Sequence, residues 1–142
     1  MPKESSPGFV RVPLITIPLA AAKIQGTSQI IYLEGFNPGF KCVVEKVTFT
    51  QTTALAGVGG SQTINVRKGA SDGTVIATLA LVVADTGLGE TVEASVAAAD
   101  EDTAWLGDSD TISAEMAASG TAFTGGDGFL TIWGRQRPQA AR

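Results

Sequence analysis

After residue 28 the chain consists mostly of short runs in which apolar and polar positions alternate, separated by clusters of glycine, asparagine, aspartate and proline. Alternation with a period of two is typical of β-strands that bury one face. The pattern predicts seven or eight strands, the clearest of which cover residues 29–34, 40–50, 61–68, 74–83, 103–106, 110–117 and 128–135. The sequence Asp72-Gly73 joins two of them and strongly favours a tight hairpin turn.

Three stretches depart from simple alternation. In the second strand Glu45 falls on the same side as Val43 and Val47, so either the strand bulges there or that face is only half buried. Residues 51–60 are small and glycine-rich, which predicts a loop. Residues 85–102 include an alanine-rich run that fits a single helical turn and an irregular excursion equally well.

Regularly spaced strands with little helix, in a chain of 142 residues, indicate one all-β domain. The expected fold is a two-layer antiparallel β-sandwich, jelly-roll-like, and a small closed β-barrel is the alternative. The sequence divides into an extended N-terminal arm (residues 1–20), the sandwich domain (residues 21–134) and a basic C-terminal tail (residues 135–142).

The N-terminal arm is apolar but carries prolines at positions 2, 7, 13 and 18. Each proline removes a backbone donor, which excludes a helix and a central strand. An apolar extended arm normally lies on another surface, and the sequence favours its own domain and a neighbouring molecule equally. A separate arm predicts that deletion of residues 1–20 leaves the domain folded.

Charge is distributed unevenly along the chain. Residues 1–68 carry a net charge of +4, residues 69–134 hold eleven acids and no base, and residues 135–142 add three arginines. The acids of the second part repel one another unless a basic surface lies near, either in the first part of the same chain or on a neighbouring molecule. A solvated acidic surface is the alternative. Nucleic acid is not an expected partner, because an acidic body repels phosphate.

Candidate chemistry is sparse. The chain has no histidine and one cysteine, so the commonest general base and metal ligand is missing. The glycine-rich stretches at 57–60 and 87–89 lack the Gly-Lys-Ser/Thr ending of a phosphate loop. These observations predict a protein that is not an enzyme and that holds no cofactor or metal. No apolar run approaches the roughly 20 residues that span a bilayer, so we expect no membrane partner.

A few side chains have alternative interpretations. Asp108 and Asp110 could supply oxygen ligands to calcium, although formation of a turn is the simpler interpretation. Trp105 lies between acidic turns and is the one plausible exposed platform for a sugar, whereas Trp133 is expected in the core. Cys42 is expected to be a buried, inert thiol.

Four segments together resemble the small head-decoration (cement) proteins of tailed bacteriophages. They are Lys41-Cys-Val-Val-Glu-Lys-Val-Thr-Phe-Thr50, Asn65-Val-Arg-Lys-Gly-Ala-Ser-Asp-Gly-Thr-Val-Ile-Ala77, Gly107-Asp-Ser-Asp-Thr-Ile112 and Gly128-Phe-Leu-Thr-Ile-Trp133. The resemblance covers most of residues 29–133. Proteins of that group are β-rich, commonly trimeric and not enzymes, and they clamp neighbouring capsid subunits from outside.

The resemblance implies a structural virion protein on the capsid surface, made in the host cytoplasm, whose partners are the major capsid protein and its own copies in a trimer. The arm and the tail would then make the contacts. The candidate partner-binding residues are Val10, Val12, Leu14, Ile15, Ile17, Arg135 and Arg137. Two alternatives stay open: another virion component, such as a tail or head-fibre subunit, and a carbohydrate- or surface-binding module.

Overall fold

The computed structural model describes residues 11–19, 29–57, 59–70, 72–82, 91–96, 101–117 and 121–136. Within these ranges the backbone forms nine strands and one helical turn. The strands are β1 (Arg11–Leu19), β2 (Ile30–Phe36), β3 (Cys42–Ala56), β4 (Ser61–Lys68), β5 (Thr74–Val82), β6 (Thr91–Ser95), β7 (Trp105–Leu106), β8 (Ile112–Met116) and β9 (Gly125–Gln136), and the helical turn is α1 (Glu101–Ala104).

The strand pairing is that of one long hairpin that has been rolled up. Strand β1 pairs with β9, β2 with β8, β3 with β6, and β4 with β5, all antiparallel. Rolling the hairpin also places β9 beside β3 and β8 beside β4. Sheet A therefore has the order β1-β9-β3-β6, with β7 also on β3, and sheet B has the order β2-β8-β4-β5. Two stacked antiparallel sheets with this connectivity form a jelly roll, so the predicted sandwich is confirmed.

The core lies between the two sheets and is built from the inward positions of both. Its largest fully buried side chains include Phe49, Leu79 and Ile132. Cys42 is also fully buried, as expected. At the tip of the long hairpin, the N–H of Gly73 donates to the carbonyl of Ala70 at 2.9 Å, which closes the predicted turn.

A β-bulge resolves the irregularity at Glu45. The register of β3 against β9 shifts between Val44 and Lys46, so the alternation of side chains changes phase at this point. As a result Val44 and Val47 both face the core, with 1% and 0% of their surface exposed, while Glu45 and Lys46 remain partly accessible. Of the two interpretations offered by the sequence, the bulge is the one that the structure shows.

Local sequence does not predict the second part of β3 or the whole of β6. Strand β3 continues to Ala56 through the expected loop, because it pairs with the first residues of β9 and because Leu55 is buried. Strand β6 occupies part of the ambiguous stretch and pairs with β3. The helical turn that the sequence allowed in the alanine-rich run is therefore not formed over residues 91–95, and the helical turn of the structure follows that run, at Glu101–Ala104. Residues 83–90 and 97–100 lie outside the described residues.

The described part of the N-terminal arm is strand β1, at the edge of sheet A. Its prolines are compatible with this position because an edge strand needs donors on one side only. Leu19 is 2% exposed, and Leu14, Ile15 and Ile17 pack against the core. Of the two surfaces that the arm could lie on, its own domain is therefore the one that Arg11–Leu19 occupies, as an integral strand. Residues 1–10 and 20 lie outside the described residues.

We expect deletion of residues 1–20 to unfold the domain or to lower its free energy of unfolding severely. Each fully buried leucine or isoleucine side chain contributes about 1.5–3 kcal/mol, and the total stability of a domain is only about 5–15 kcal/mol. Urea denaturation followed by circular dichroism measures the change. Deletion of residues 1–10, which leaves β1 whole, is the matched control. An unchanged urea midpoint in the longer deletion would show that β1 is dispensable.

Candidate functional site

The outward positions of sheet A form an ordered surface because the strands are in register. Residues that face one another across the strands make four rows. Row 1 is Pro18, Phe129, Thr50 and Thr91; row 2 is Thr16, Thr131, Thr48 and Glu93; row 3 is Pro13, Trp133, Lys46 and Ser95; row 4 is Arg11, Arg135, Val43 and Trp105. We call rows 1 to 3 the threonine–aromatic face.

Hydroxyl groups tie the threonine–aromatic face together. The hydroxyls of Thr16 and Thr131 lie 3.1 Å apart, and those of Thr50 and Thr91 lie 3.0 Å apart. These bonds cross from β1 to β9 and from β3 to β6, so the side chains are held in place. Phe129 has 42% of its surface exposed and lies in row 1 between Pro18 and Thr50. The face thus presents an apolar ring among fixed hydroxyls.

Trp133 lies on this face and not in the core where the sequence placed it. Its Nε1–H donates to Oγ1 of Thr48 at 2.9 Å, and the ammonium of Lys46 lies 5.9 Å from the ring centroid. Lys46 also forms an ion pair with Glu93 at 3.4 Å. The hydrogen bond and the nearby ammonium hold the indole in one orientation, and the ammonium covers part of its ring.

Row 4 ends in a charged cluster. Oε1 of Glu45 accepts from Nε of Arg11 at 2.8 Å, and Oε2 of the same carboxylate pairs with Nε of Arg135 at 3.0 Å. The bulge in β3 places Glu45 between the two arginines. A cleft of about 290 Å³ adjoins this cluster; its lining residues are Arg11, Val43, Val44, Glu45, Val96, Ala104, Trp105 and Arg135.

The cleft follows from side-chain length along row 4. Val43 is short and lies between Trp105 and Arg135, which are long. Adjacent strands are about 4.8 Å apart, so the backbones that carry the tryptophan and the arginine are roughly 10 Å apart. The short side chain of Val43 between these two longer ones leaves the space that the cleft occupies.

A turn below the cleft supports Trp105. Nζ of Lys68 donates to the carbonyl oxygen of Trp105 at 3.0 Å and lies 3.6 Å from Oδ2 of Asp110. The backbone N–H of Gly107 donates to the same carboxylate oxygen at 2.8 Å. The Gly107 hydrogen bond and the charge of Lys68 lower the pKa of Asp110 from its ordinary value of 3.8. Asp110 therefore fixes the turn that follows β7.

Asp108 and Asp110, the two candidate calcium ligands, make contacts that hold this turn in place. The carboxylate of Asp110 has the partners just given, and the backbone oxygen of Asp108 accepts from Nδ2 of Asn37 at 2.9 Å. Among the residues that the structure describes, no group of three or more acidic, histidine or cysteine side chains lies close enough to hold a metal ion.

The structure separates the predicted partner-binding residues into two groups. Leu14, Ile15 and Ile17 pack against the core of their own domain, and Val12, opposite Gly134 in β9, is partly buried. Arg135 lies on the outer face in row 4. Val10 and Arg137 lie outside the described residues. Phe129 and Arg11 were not predicted as site residues. In β9, however, Phe129, Thr131 and Arg135 alternate with buried residues, and this pattern indicates that they share the outer face.

Ion pairs join the basic first part of the chain to the acidic second part. Lys46 pairs with Glu93, Lys68 with Asp110, and Arg67 with the 3%-exposed Glu115 at 3.2 Å. Glu115 also accepts from Nε2 of Gln29 at 2.7 Å. For these three acids, the compensating charge comes from the same chain, which is one of the two arrangements that the charge distribution allows.

Comparison with known proteins gives distant structural neighbours only. No family model and no curated protein matches this sequence. One similar solved structure is a glycoside hydrolase family 43 arabinoxylan arabinofuranohydrolase from Bacillus subtilis, in complex with cellotetraose: 13% identity over 93% of this chain, and a TM-score of 0.41. This chain spans 28% of that enzyme.

Another is a β-1,3-glucan-binding family 6 carbohydrate-binding module from Bacillus halodurans: 14% identity over 92% of this chain and 97% of that one, and a TM-score of 0.32. Both TM-scores lie below 0.5, so neither neighbour indicates the function of this chain. In the described part of the chain, no helix is both long and apolar enough to cross a membrane.

We expect Asp110→Asn to lower the stability of the domain at neutral pH and to matter less in acid. A carboxyl whose pKa is lowered by folding stabilises the fold above its unfolded pKa, and that contribution is lost as the pH falls through the folded pKa. Urea midpoints of the variant and the parent should therefore converge below the folded pKa. Asp108→Asn is the matched control, since the contact of Asp108 with Asn37 uses a backbone atom. A difference that persists unchanged in acid would contradict this role.

Proposed function

We propose that this chain is a non-catalytic structural protein that docks on the outside of a phage capsid through the outer face of sheet A and stabilises the shell by bridging capsid subunits. The observation that carries the proposal is the threonine–aromatic face. Its first two rows contain one charged side chain, Glu93, whereas the charged cluster of Arg11, Glu45 and Arg135 lies at one end.

This distribution matches the anatomy of protein interfaces. The centre of an interface is depleted in charge and enriched in aromatic residues, and charged groups collect at the rim. Among the described residues, the large apolar side chains that are exposed are Ile31 in β2, at 46%, and Phe129, at 42%, and of these Phe129 is the one on sheet A. Fixed threonine hydroxyls around it can exchange water for hydrogen bonds with a partner at little cost in side-chain entropy.

The size of the face favours repeated attachment. Four strands about 4.8 Å apart and three rows about 6.7 Å apart cover roughly 400 Å², which is about half of the 800 Å² per partner found in stable complexes. One such contact is weak. A symmetric shell offers many copies of the same site, and a trimeric form of this chain would bind several of them with a gain in effective concentration. The major capsid protein and sister copies of this chain are therefore the proposed partners.

The choice of a capsid among protein surfaces is supported by the sequence resemblance. Its four segments fall on β3, on the hairpin of β4 and β5, on the turn that leads into β8, and on β9. Two of them, on β3 and β9, carry residues of the outer face of sheet A, and the other two belong to sheet B.

We expect Phe129→Arg to weaken attachment to capsids tenfold or more, because an exposed aromatic contact is replaced by a charge. The measurement is co-sedimentation of the purified chain with heads of the virus that encodes it. Ala80→Arg is the matched control, since Ala80 is an exposed position of β5 in sheet B. Equal loss in both variants, or no binding by the parent chain, would refute docking through this face.

The same preparation separates the capsid from other virion parts. If the chain sediments with heads that lack tails, the capsid is its attachment site, whereas recovery with isolated tails or head fibres would assign it to those parts. Sedimentation of the purified chain in low and high salt measures its oligomeric state. A monomer at every salt concentration would exclude a trimer held by charge pairing.

A carbohydrate-binding module is the second candidate, and one observation favours it. Trp105 forms a wall of the cleft at row 4, and polar groups of Arg11 and Glu45 face the same space. An aromatic wall with a few fixed polar groups is the usual construction of a small-ligand site.

For this candidate we expect added glycans to shift the fluorescence of Trp105. Trp133→Phe leaves Trp105 as the only tryptophan in the chain, and circular dichroism verifies that this variant is folded. In the same background Trp105→Ala should weaken glycan binding about tenfold, because the stacking surface is lost. An unchanged spectrum with both neutral and acidic polysaccharides would exclude the cleft as a sugar site and leave capsid docking unaffected.

A further inference from the structure

Strand β5 forms one edge of sheet B. The order of that sheet is β2-β8-β4-β5, so β5 pairs with β4 on one side, and no other strand of the described residues pairs with its second side. An edge strand presents backbone N–H and C=O groups that can pair with a strand of another molecule. This edge is therefore a candidate interaction surface, separate from rows 1 to 4 of sheet A.

The hydrogen bonds of β4 show which backbone groups of β5 point outwards. In an antiparallel sheet the N–H and C=O of one residue point to the same side, and those of the next residue point to the other side. The carbonyl oxygen of Thr63 accepts from the N–H of Ala117 at 2.8 Å, so the backbone groups of Thr63 point towards β8. Those of Ile64 then point towards β5, where Ile64 pairs with Leu79. The residues on either side of Leu79 consequently point their backbone groups away from β4.

Those two residues are Thr78 and Ala80, and both are exposed. Their side chains lie on the outer face of sheet B, because Leu79 between them is fully buried in the core. The hydroxyl of Thr78 donates to Oδ1 of Asn65 in β4 at 3.0 Å, which holds this side chain on the outer face. The register shift between β4 and β5 falls nearer the start of β5, so the strand is regular at Thr78 and Ala80.

The edges at β1, β6 and β2 carry features that discourage pairing with another chain. Strand β1 contains Pro13 and Pro18, the five-residue strand β6 contains Glu93, and β2 contains Glu34 and two irregularities of register. Prolines, charges, short strands and bulges are the usual protection of sheet edges. The nine residues of β5 include no proline and no charged side chain. Among the edges of the described residues, β5 is thus the one best suited to pairing.

The outward groups of β5 are complementary to those of a second β5. When two such strands run antiparallel about a two-fold axis at Leu79, Thr78 of each copy lies opposite Ala80 of the other. Opposed residues whose backbone groups point at one another exchange both of their hydrogen bonds. The side chains that meet on the outer face are a threonine and an alanine, which are small and uncharged and leave room for the backbones to approach.

We propose that β5 pairs with β5 of a second copy of this chain, so that sheet B continues across a two-fold axis into the sheet of its neighbour. The second copy is the occupant because the outward groups satisfy one another in this register and no charge on either strand opposes the approach. A two-fold contact does not close a trimer, so it would join free copies in pairs or link copies of different trimers. It is independent of capsid docking, which uses the outer face of sheet A.

Sedimentation equilibrium of the parent chain and of Ala80→Pro tests the pairing, over about 10 µM to 1 mM because the contact is small. We expect reversible dimers of the parent chain and dimerisation about tenfold weaker or worse in Ala80→Pro. Proline removes the outward N–H of residue 80 in both copies and leaves the hydrogen bonds to β4 in place. Ala80→Ser keeps this N–H and is the matched control. Ala80→Arg also keeps it, and its side chain would lie on the outer face opposite Thr78 of the second copy, so both should pair like the parent chain.

Amide hydrogen exchange locates the contact. We expect the N–H groups of Thr78 and Ala80 to exchange freely in dilute parent chain and to be protected in concentrated samples. A parent chain that stays monomeric at about 1 mM would overturn the proposal, as would dimers in which the exchange of these two amides is unchanged, or equal weakening in Ala80→Pro and Ala80→Ser. Thermal unfolding shows whether the proline variant is folded; if it is not, exchange in the parent chain decides. Failure of this pairing leaves the co-sedimentation test of Phe129 unaffected.

Discussion

The insertion of β9 between β1 and β3 is the contact on which the rest of the structure depends. It joins the last described strand to the first and to the third, across more than one hundred residues in the first case. Its inward side chains, Leu130 and Ile132, are fully buried, so sheet A closes over the core only when β9 is in place. Its outward side chains supply the middle of rows 1 to 4. Core and outer face are consequently fixed by the same pairing, and a change in register would alter both.

The bulge at Glu45 is the second determinant of the surface. Without it, strict alternation would carry Glu45, Val47 and Phe49 on one face, and either a carboxylate would enter the core or two large apolar side chains would leave it. The extra residue separates them and turns the carboxylate towards the arginines of β1 and β9. Bulges often redirect a side chain near a binding site. Here the same bulge protects the core and assembles the charged end of the cleft.

Features that depend on nearby residues could be predicted from the sequence. The hairpin of β4 and β5, with its Asp72-Gly73 turn, depends on local alternation and turn chemistry, and both were readable. The bulge was one of two stated interpretations because Glu45 visibly breaks the pattern. Trp105 was singled out because it lies between polar turns, and it lines the cleft in a partly buried position.

Features that depend on distant pairing could not be predicted in the same way. Proline spacing in β1 suggests a separate arm, and only the partnership with β9 shows that the segment is a strand. Strand β3 extends to Ala56 because β9 pairs with it there. Trp133 is apolar by composition, yet its phase in β9 places it outside. The cleft was not foreseen, since row 4 draws one residue from each of four separate strands. Site prediction therefore required the register of sheet A.

The two proposed contacts differ in physical type, although they share one sheet face. The threonine–aromatic face would bind by apolar burial and neutral hydrogen bonds, whereas the row 4 cleft would hold a sugar ring against Trp105, beside polar groups of Arg11 and Glu45. Both contacts are small, and each gains from repetition, on a symmetric shell in one case and along a polymer in the other. Because the two contacts use different rows of the same sheet, a substitution in one row leaves the residues of the other in place.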